Sequence, residues 1–141
     1  MKAHRLLTAL ALGLGVTLGL LWLLAGGPVL FVSAASSTVT NTNDSGTGSL
    51  RQAIIDANSD PDHDTIDFSV TGVITLESAL PAISETLTIS GPGAAQLSVS
   101  GDGQYRVFEI DSGVAVTITG LTVRDGGAQD GGGIWSAGDV R

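Results

Sequence analysis

Leu87-Thr-Ile-Ser-Gly, Leu97-Ser-Val-Ser-Gly, Val107-Phe-Glu-Ile, Val116-Thr-Ile-Thr-Gly and Leu121-Thr-Val follow one another between residues 87 and 123. Alternation at period two puts Leu87, Ile89, Leu97, Val99, Val116 and Ile118 on one face, with Thr and Ser on the other. Each strand is too short to support a flat sheet with one solvated face, and the pattern keeps returning. These features predict an all-β coiled β-solenoid of short strands stacked coil upon coil. One coil is expected to use residues 87–90, 96–100 and 106–110, and the next residues 115–119, 121–124 and 133–136. Stacking then pairs Ile89 with Ile118 and Val99 with Val123, and sets Ile110 near Ile134. The expected corners are Gly91-Pro92-Gly93, Gly101-Asp102-Gly103, Asp111-Ser112-Gly113 and Asp125-Gly126-Gly127, with glycine supplying positive φ.

Working outward, Ile66-Asp-Phe and Val73-Ile-Thr-Leu open the coil. Residues 78–85, with Leu80, Pro81 and Ile83, read as a loop packed across it. At the far end Asp139-Val140-Arg141 reads as the start of another strand, so the chain is expected to be the front of a longer product.

The chain has 141 residues, enough for one small domain, and no cysteine, which excludes disulfides and thiolate metal sites. Glycine at 20 residues and aromatics at 4% fit frequent corners and thin strands. From Ala35 onward there are four arginines, no lysine and all 14 acidic residues, a balance of −10. Such a surface repels nucleic acid and anionic lipid. Surface glycans and other cell-surface proteins remain as partners.

Residues 1–34 read as a leader. Lys2 and Arg5 precede an uncharged run from Leu6 to Asn43, and Gly26-Gly27-Pro28 breaks any helix there. Val32-Ser33-Ala34 offers small residues at the two positions that a signal peptidase reads, which makes Ala35 the first mature residue. The rival reading is an uncleaved signal anchor, because an apolar run of about 20 residues is long enough to span a bilayer. In that case membrane contact runs through residues 6–32. Both readings place residues after Ala35 outside the cytoplasm: extracellular or at the cell surface if cleaved, tethered to the cytoplasmic membrane if not.

Residues 35–48 read as a polar linker with an edge strand at Ser37-Thr-Val-Thr. Residues 49–58 form the one helix expected outside the leader. Ser49 and Gln52 make a capping box, and Leu50, Ala53, Ile54 and Ala57 form one apolar stripe. Asn58 stops the helix. A segment this short needs an apolar support. The open end of the coil formed by residues 64–141 provides one, so the helix is read as a cap.

Gly48-Ser-Leu-Arg-Gln-Ala-Ile followed by Ala57-Asn58 resembles the N-terminal signature of the CSLREA-domain proteins. Here Gly48 stands where that motif has Cys, and Gln52 where it has Glu. Asp64-Thr-Ile-Asp-Phe and Gly131-Gly-Gly-Ile fit as well. Gly132-Gly133-Ile134 is also similar to the Gly-Gly-Ala-Ile repeats of chlamydial polymorphic outer-membrane proteins, without their Phe-x-x-Asn partner motif. The resemblance spans residues 38–139. It implies export and a pectin-lyase-like right-handed β-helix, and no family-wide catalytic residue.

Candidate chemistry is thin. Asp60, Asp62, Asp64 and Asp67 carry alternate carboxylates of the kind that bind Ca²⁺. The EF-hand pattern fails, because Thr65 replaces the turn glycine and Thr71 the bidentate Glu. A solvated turn is therefore expected, with His63 exposed. The glycines between 126 and 133 lack the Lys-Ser/Thr of a phosphate loop and the nonapeptide of toxin calcium repeats, so a corner loop is expected. Trp135 reads either as a sugar-stacking ring or as a rung-edge aromatic.

The expected function is a non-catalytic exported or cell-surface module for display, adhesion or glycan contact. No catalytic, metal or cofactor-binding residue is assigned. The alternative is the front of a polysaccharide lyase or hydrolase drawing on Asp102, Arg106, Glu109, Asp111 and Arg124. Arg106 and Glu109 are expected to face opposite ways, so no such site assembles. A membrane-tethered stub without activity is a third reading.

Overall fold

In the computed structural model residues 35–62 and 64–137 are described, together with the backbone of 139–140. The leader readings, the exposure of His63 and the position of Arg141 lie outside the described residues.

The strands are β1 (Ser36–Val39), β2 (Asp64–Phe68), β3 (Gly72–Thr75), β4 (Leu87–Ser90), β5 (Leu97–Ser100), β6 (Phe108–Ile110), β7 (Ala115–Thr119), β8 (Thr122–Arg124), β9 (Ile134–Ser136) and β10 (Asp139–Val140). Helix α1 (Leu50–Ala57) lies between β1 and β2. Every strand pair is parallel. From β2 onward successive strands in the chain belong to different sheets, and each pairs with its counterpart one coil away. The result is a β-solenoid of about four turns. Its first wall runs β1-β2-β4-β7-β10, its second β3-β5-β8 and its third β6-β9.

The alternation read from the sequence becomes stacks of like residues. On the first wall Ile66, Ile89 and Ile118 stand in register. On the second wall Ile74, Val99 and Val123 do so. Burying identical aliphatic side chains directly above one another satisfies the ladder hydrogen bonds and the core together. The polar partners Thr65, Thr88 and Thr117 form a parallel column on the outer side. Burial weakens along the stacks: Ile66 and Ile89 are fully buried, whereas Ile118, Leu121, Val123 and Ile134 are only partly covered.

The third wall departs from expectation. Phe108, not Ile110, pairs with Ile134, and Ile110 stands opposite Ser136. A slip of two residues keeps Phe108 and Ile110 on the inner face, which is why alternation alone did not reveal it. The stretch 78–85 packs inward through Leu80 and Ile83, as expected. It also supplies the third wall of its own coil, because Ile83 forms a parallel bridge with Ile110.

The corners also differ in their physics. The positive φ that glycine was expected to supply falls partly on Asp102 (54°) and Asp125 (51°). Aspartate tolerates this region better than most residues. The buried Ser100 hydroxyl joins the two corners, accepting from Asp102 N–H and donating to Asp125 Oδ2 at 3.1 Å. Several glycines are needed for close approach instead. A Cβ on Gly91 would lie 2.2 Å from the Gly120 carbonyl oxygen of the next coil.

Helix α1 packs on β1 and β2, and its buried stripe of Leu50, Ala53, Ile54 and Ala57 joins the core of the coil. Ser49 caps it by accepting from Gln52 N–H at 3.2 Å. The reciprocal half of the capping box is missing. The Gln52 side chain donates to Asp56 one turn on, and Ser49 N–H goes to Gly46 O. No helix among the described residues is long and apolar enough to cross a membrane.

Three substitutions test this account. Ile89→Ala, at the middle of a stack, is expected to lower the unfolding free energy by about 3–4 kcal/mol, and Ile118→Ala by roughly half as much. Urea titration followed by circular dichroism checks the ratio. Gly91→Ala is expected to cost about 2 kcal/mol or more, because its methyl group meets backbone that cannot retreat without breaking the ladder.

Candidate functional site

Two polar clusters stand out, one structural and one on the surface. The structural cluster centres on Arg51, on the second helical position of α1. Its guanidinium donates Nη2–H to Asp44 Oδ1 at 2.6 Å and to Ser78 O at 2.8 Å. It also donates Nε–H to Asp44 O at 3.0 Å and Nη1–H to Ala79 O. One planar fork thus ties the loop after β1, the helix and the loop after β3 together. Asn58 at the other end of α1 does the same job, donating to Ala82 O at 2.8 Å and accepting from Ser84 N–H at 3.0 Å. Both residues lie in the stretch that carries the family resemblance. Their local roles are structural.

Burial raises the Asp44 pKa. The Arg51 guanidinium and the backbone N–H groups of Glu77 and Ser78 outweigh that effect and hold it below its ordinary 3.8. Asp44 also lines an open polar groove of about 400 Å³ with Thr42, Asn43, Ser45, Val73, Thr75 and Glu77. The sequence reading missed this groove. Its only signal was the run Asn41-Thr-Asn-Asp-Ser, which resembles any loop.

The surface cluster lies on the outside of the third wall. Glu109 of β6 and Trp135 of β9 are register partners, so their side chains are neighbours. Arg106 reaches across both. Its Nη1–H donates to Glu109 Oε2 at 2.9 Å, and its guanidinium carbon lies over the Trp135 ring at 5.2 Å from the centroid. Two backbone carbonyls, Asp130 O at 2.8 Å and Gly131 O at 3.3 Å, hold the same guanidinium in place. This corrects the expectation that Arg106 and Glu109 face opposite ways. Arg106 precedes β6, where strand alternation does not apply, and its long side chain folds back over the sheet. Trp135 remains 37% exposed. A guanidinium on an indole, flanked by a carboxylate, makes a rigid platform with an apolar plane and a polar rim.

The other candidates do not converge. Asp64 is buried and accepts from Ala35 N–H at 3.1 Å. Asp60 accepts from Asp62 N–H in a tight turn, and Asp67 accepts from the Ser36 hydroxyl at 3.4 Å. On β2, Asp64 points inward with Ile66 while Asp67 sits on the opposite face. Asp60 and Asp62 are half-buried in the turn after α1, and the expected solvated turn fails at Asp64, which is buried. Asp102, Asp111 and Asp125 occupy corners, and Arg124 pairs with Asp125 on the surface at 3.0 Å. Among the described residues no three His, Asp or Glu side chains are grouped to hold a metal ion. No family model, curated protein or solved structure matches the chain.

The Asp44–Arg51 pair makes stability depend on acid. A carboxylate with a depressed folded pKa contributes fully above the unfolded value of about 3.8, and that contribution is lost as pH falls through the folded value. Asp44→Asn is expected to lower the melting temperature at pH 7 and to flatten the decline below about pH 4. Arg51→Ala is expected to cost about 1–2 kcal/mol, since it leaves a half-buried carboxylate without its cation and the Ser78 and Ala79 carbonyls without a donor. Thermal melts from pH 2.5 to 7 check both.

Proposed function

We propose that the chain is a non-catalytic, exported or cell-surface module, a right-handed β-helix capped by α1, that contacts glycans through the Arg106–Glu109–Trp135 platform. The right hand is what the resemblance implies, and the handedness preference of parallel crossovers favours it. The reading of export rests on the leader-like residues 1–34 and on the resemblance of residues 48–58 to the CSLREA signature. The exposed Trp135 under a fixed guanidinium carries the reading of glycan contact. Sugars present apolar C–H faces that stack on an indole, and hydroxyls that bond to carboxylate and guanidinium. The acidic exterior favours neutral over anionic chains.

The alternative, the front of a pectin-lyase-like lyase or hydrolase, gains an Arg–Glu pair that the sequence reading had set apart. That arginine already donates to Glu109, Asp130 and Gly131, so its guanidinium is committed to structure and poorly placed as a base.

Trp135 is the one tryptophan among residues 35–141, so its fluorescence reports the platform alone in a product of those residues. Titration of the exported protein with neutral oligosaccharides is expected to shift that emission, and Trp135→Ala to abolish retention on the same glycans. No shift or retention with any neutral or acidic glycan overturns the reading. Release of unsaturated uronides or reducing sugar would favour the alternative.

A further inference from the structure

Strand β3 ends the second wall. β5 lies along one side of it, and among the described residues no strand pairs with the other. The coil that begins with β1 runs into a loop and α1, so it adds no strand to that wall. Gly72 N–H donates to Gln96 O at 2.8 Å and Leu76 N–H to Ser100 O at 2.9 Å. In a parallel ladder alternate residues bond to alternate sides, so the N–H and C=O groups of Val73 and Thr75 point to the free edge. Glu77 continues that series, and its N–H is already met there by Asp44 Oδ1 at 3.0 Å. The polar groove of about 400 Å³ lies along this edge, between β3 and the loop at residues 42–45. Val73 is 41% exposed. Sheet edges are commonly blunted by proline, lysine or a bulge, and Gly72–Thr75 carries none of them.

We infer that the free edge of β3 is a docking site for an extended, basic peptide segment of a partner chain, added as a fourth strand of the second wall. Carbonyls of the segment accept from Val73 and Thr75 N–H, and its amides donate to the carbonyls of the same two residues. A donor and an acceptor that repeat about every 6.6 Å match an extended polypeptide backbone. An apolar side chain opposite Val73 covers its exposed methyl groups. Charge selects the occupant. Asp44 is neutralised by Arg51, whereas Glu77 pairs with no cation among the described residues. A Lys or Arg in register with Glu77 supplies one. The balance of −10 from Ala35 onward draws basic chains and repels a second copy of this one. The site lies on a different wall from the Arg106–Glu109–Trp135 platform and does not depend on it.

The probe is a capped, fluorescein-labelled seven-residue peptide with Lys at both ends, Val third and fifth, and Thr between, so it reads the same in either direction. The protein recovered from expression of the full chain is titrated with it, and binding is read by fluorescence anisotropy. Replacing both Lys by Glu is expected to weaken binding at least about tenfold, and Glu77→Gln to weaken the Lys peptide about threefold. N-methylation of one alternating set of peptide amides is expected to weaken binding at least about tenfold, and of the other set less than about threefold, because only alternate groups reach β3. Thr75→Pro removes an N–H of the free edge without touching the ladder to β5, and is expected to weaken binding at least about fivefold. If that variant does not fold, the two methylated sets decide. Trp135 emission is expected to stay unchanged throughout. No binding at about 1 mM peptide overturns the inference. So does equal loss with either methylated set, equal binding of the Glu peptide, or a Trp135 shift that places the peptide on the platform.

Discussion

Every described strand takes its ladder hydrogen bonds from an adjacent coil, and β2, β4, β5 and β7 from the coils on both sides, so inward positions one coil apart must carry side chains that stack. Ile66, Ile89 and Ile118 meet that demand on the first wall, and Ile74, Val99 and Val123 on the second. Beneath both lies a narrow core to which no single strand contributes more than two or three side chains. The short strands are stable because each borrows half its burial from its neighbours. The same requirement explains α1. A first coil has no coil beneath it, and the helix brings Leu50, Ala53, Ile54 and Ala57 to the core there. Arg51 and Asn58 hold that helix by bonding the backbone of residues 78–84, the loop whose Ile83 starts the third wall.

Coils of this kind need not be of equal length. Asp64 and Leu87 are register partners 23 residues apart, whereas Leu87 and Val116 are 29 apart. The surplus is taken up at corners, where backbone from adjacent coils approaches closely, as between Gly91 and Gly120. Corners therefore carry two constraints, conformational at Asp102 and Asp125 and steric at Gly91. Uneven coils also hide the repeat from inspection, since no fixed period runs through the sequence.

That unevenness marks the limit of what could be read in advance. The first two walls were legible because Leu87, Ile89, Leu97 and Val99 alternate cleanly and their partners do the same. The third wall was not. Phe108 and Ile110 are both apolar and both inward, so the register of β6 against β9 could differ by two residues without disturbing the pattern. Ile83 sits beside Pro81 in a stretch with no alternation, and only a parallel partner, Ile110, makes it part of a wall. The platform was split in the reading for a similar reason. Trp135 was singled out, but Arg106 and Glu109 were assigned faces by strand parity although Arg106 lies outside the strand. Asp64 was placed in a solvated turn because aspartates surround it. Its position at the head of β2, one residue after that turn, puts it inside.

The surface reading follows from where the coil can and cannot vary. Inward positions are committed to stacking, corners to backbone approach, and the ends of α1 to holding the first coil. The outer faces of the walls carry mostly Ser and Thr, which suits solvation and little else. An indole left 37% exposed on such a face, with a guanidinium fixed over it by three acceptors, is not required by any of these constraints. Arg106 could hold the corner at residues 130–131 without a tryptophan beneath it, and β9 could pair with β6 through any outward side chain at 135. A large apolar ring that the fold does not need is the feature on which the proposed contact surface of the third wall rests.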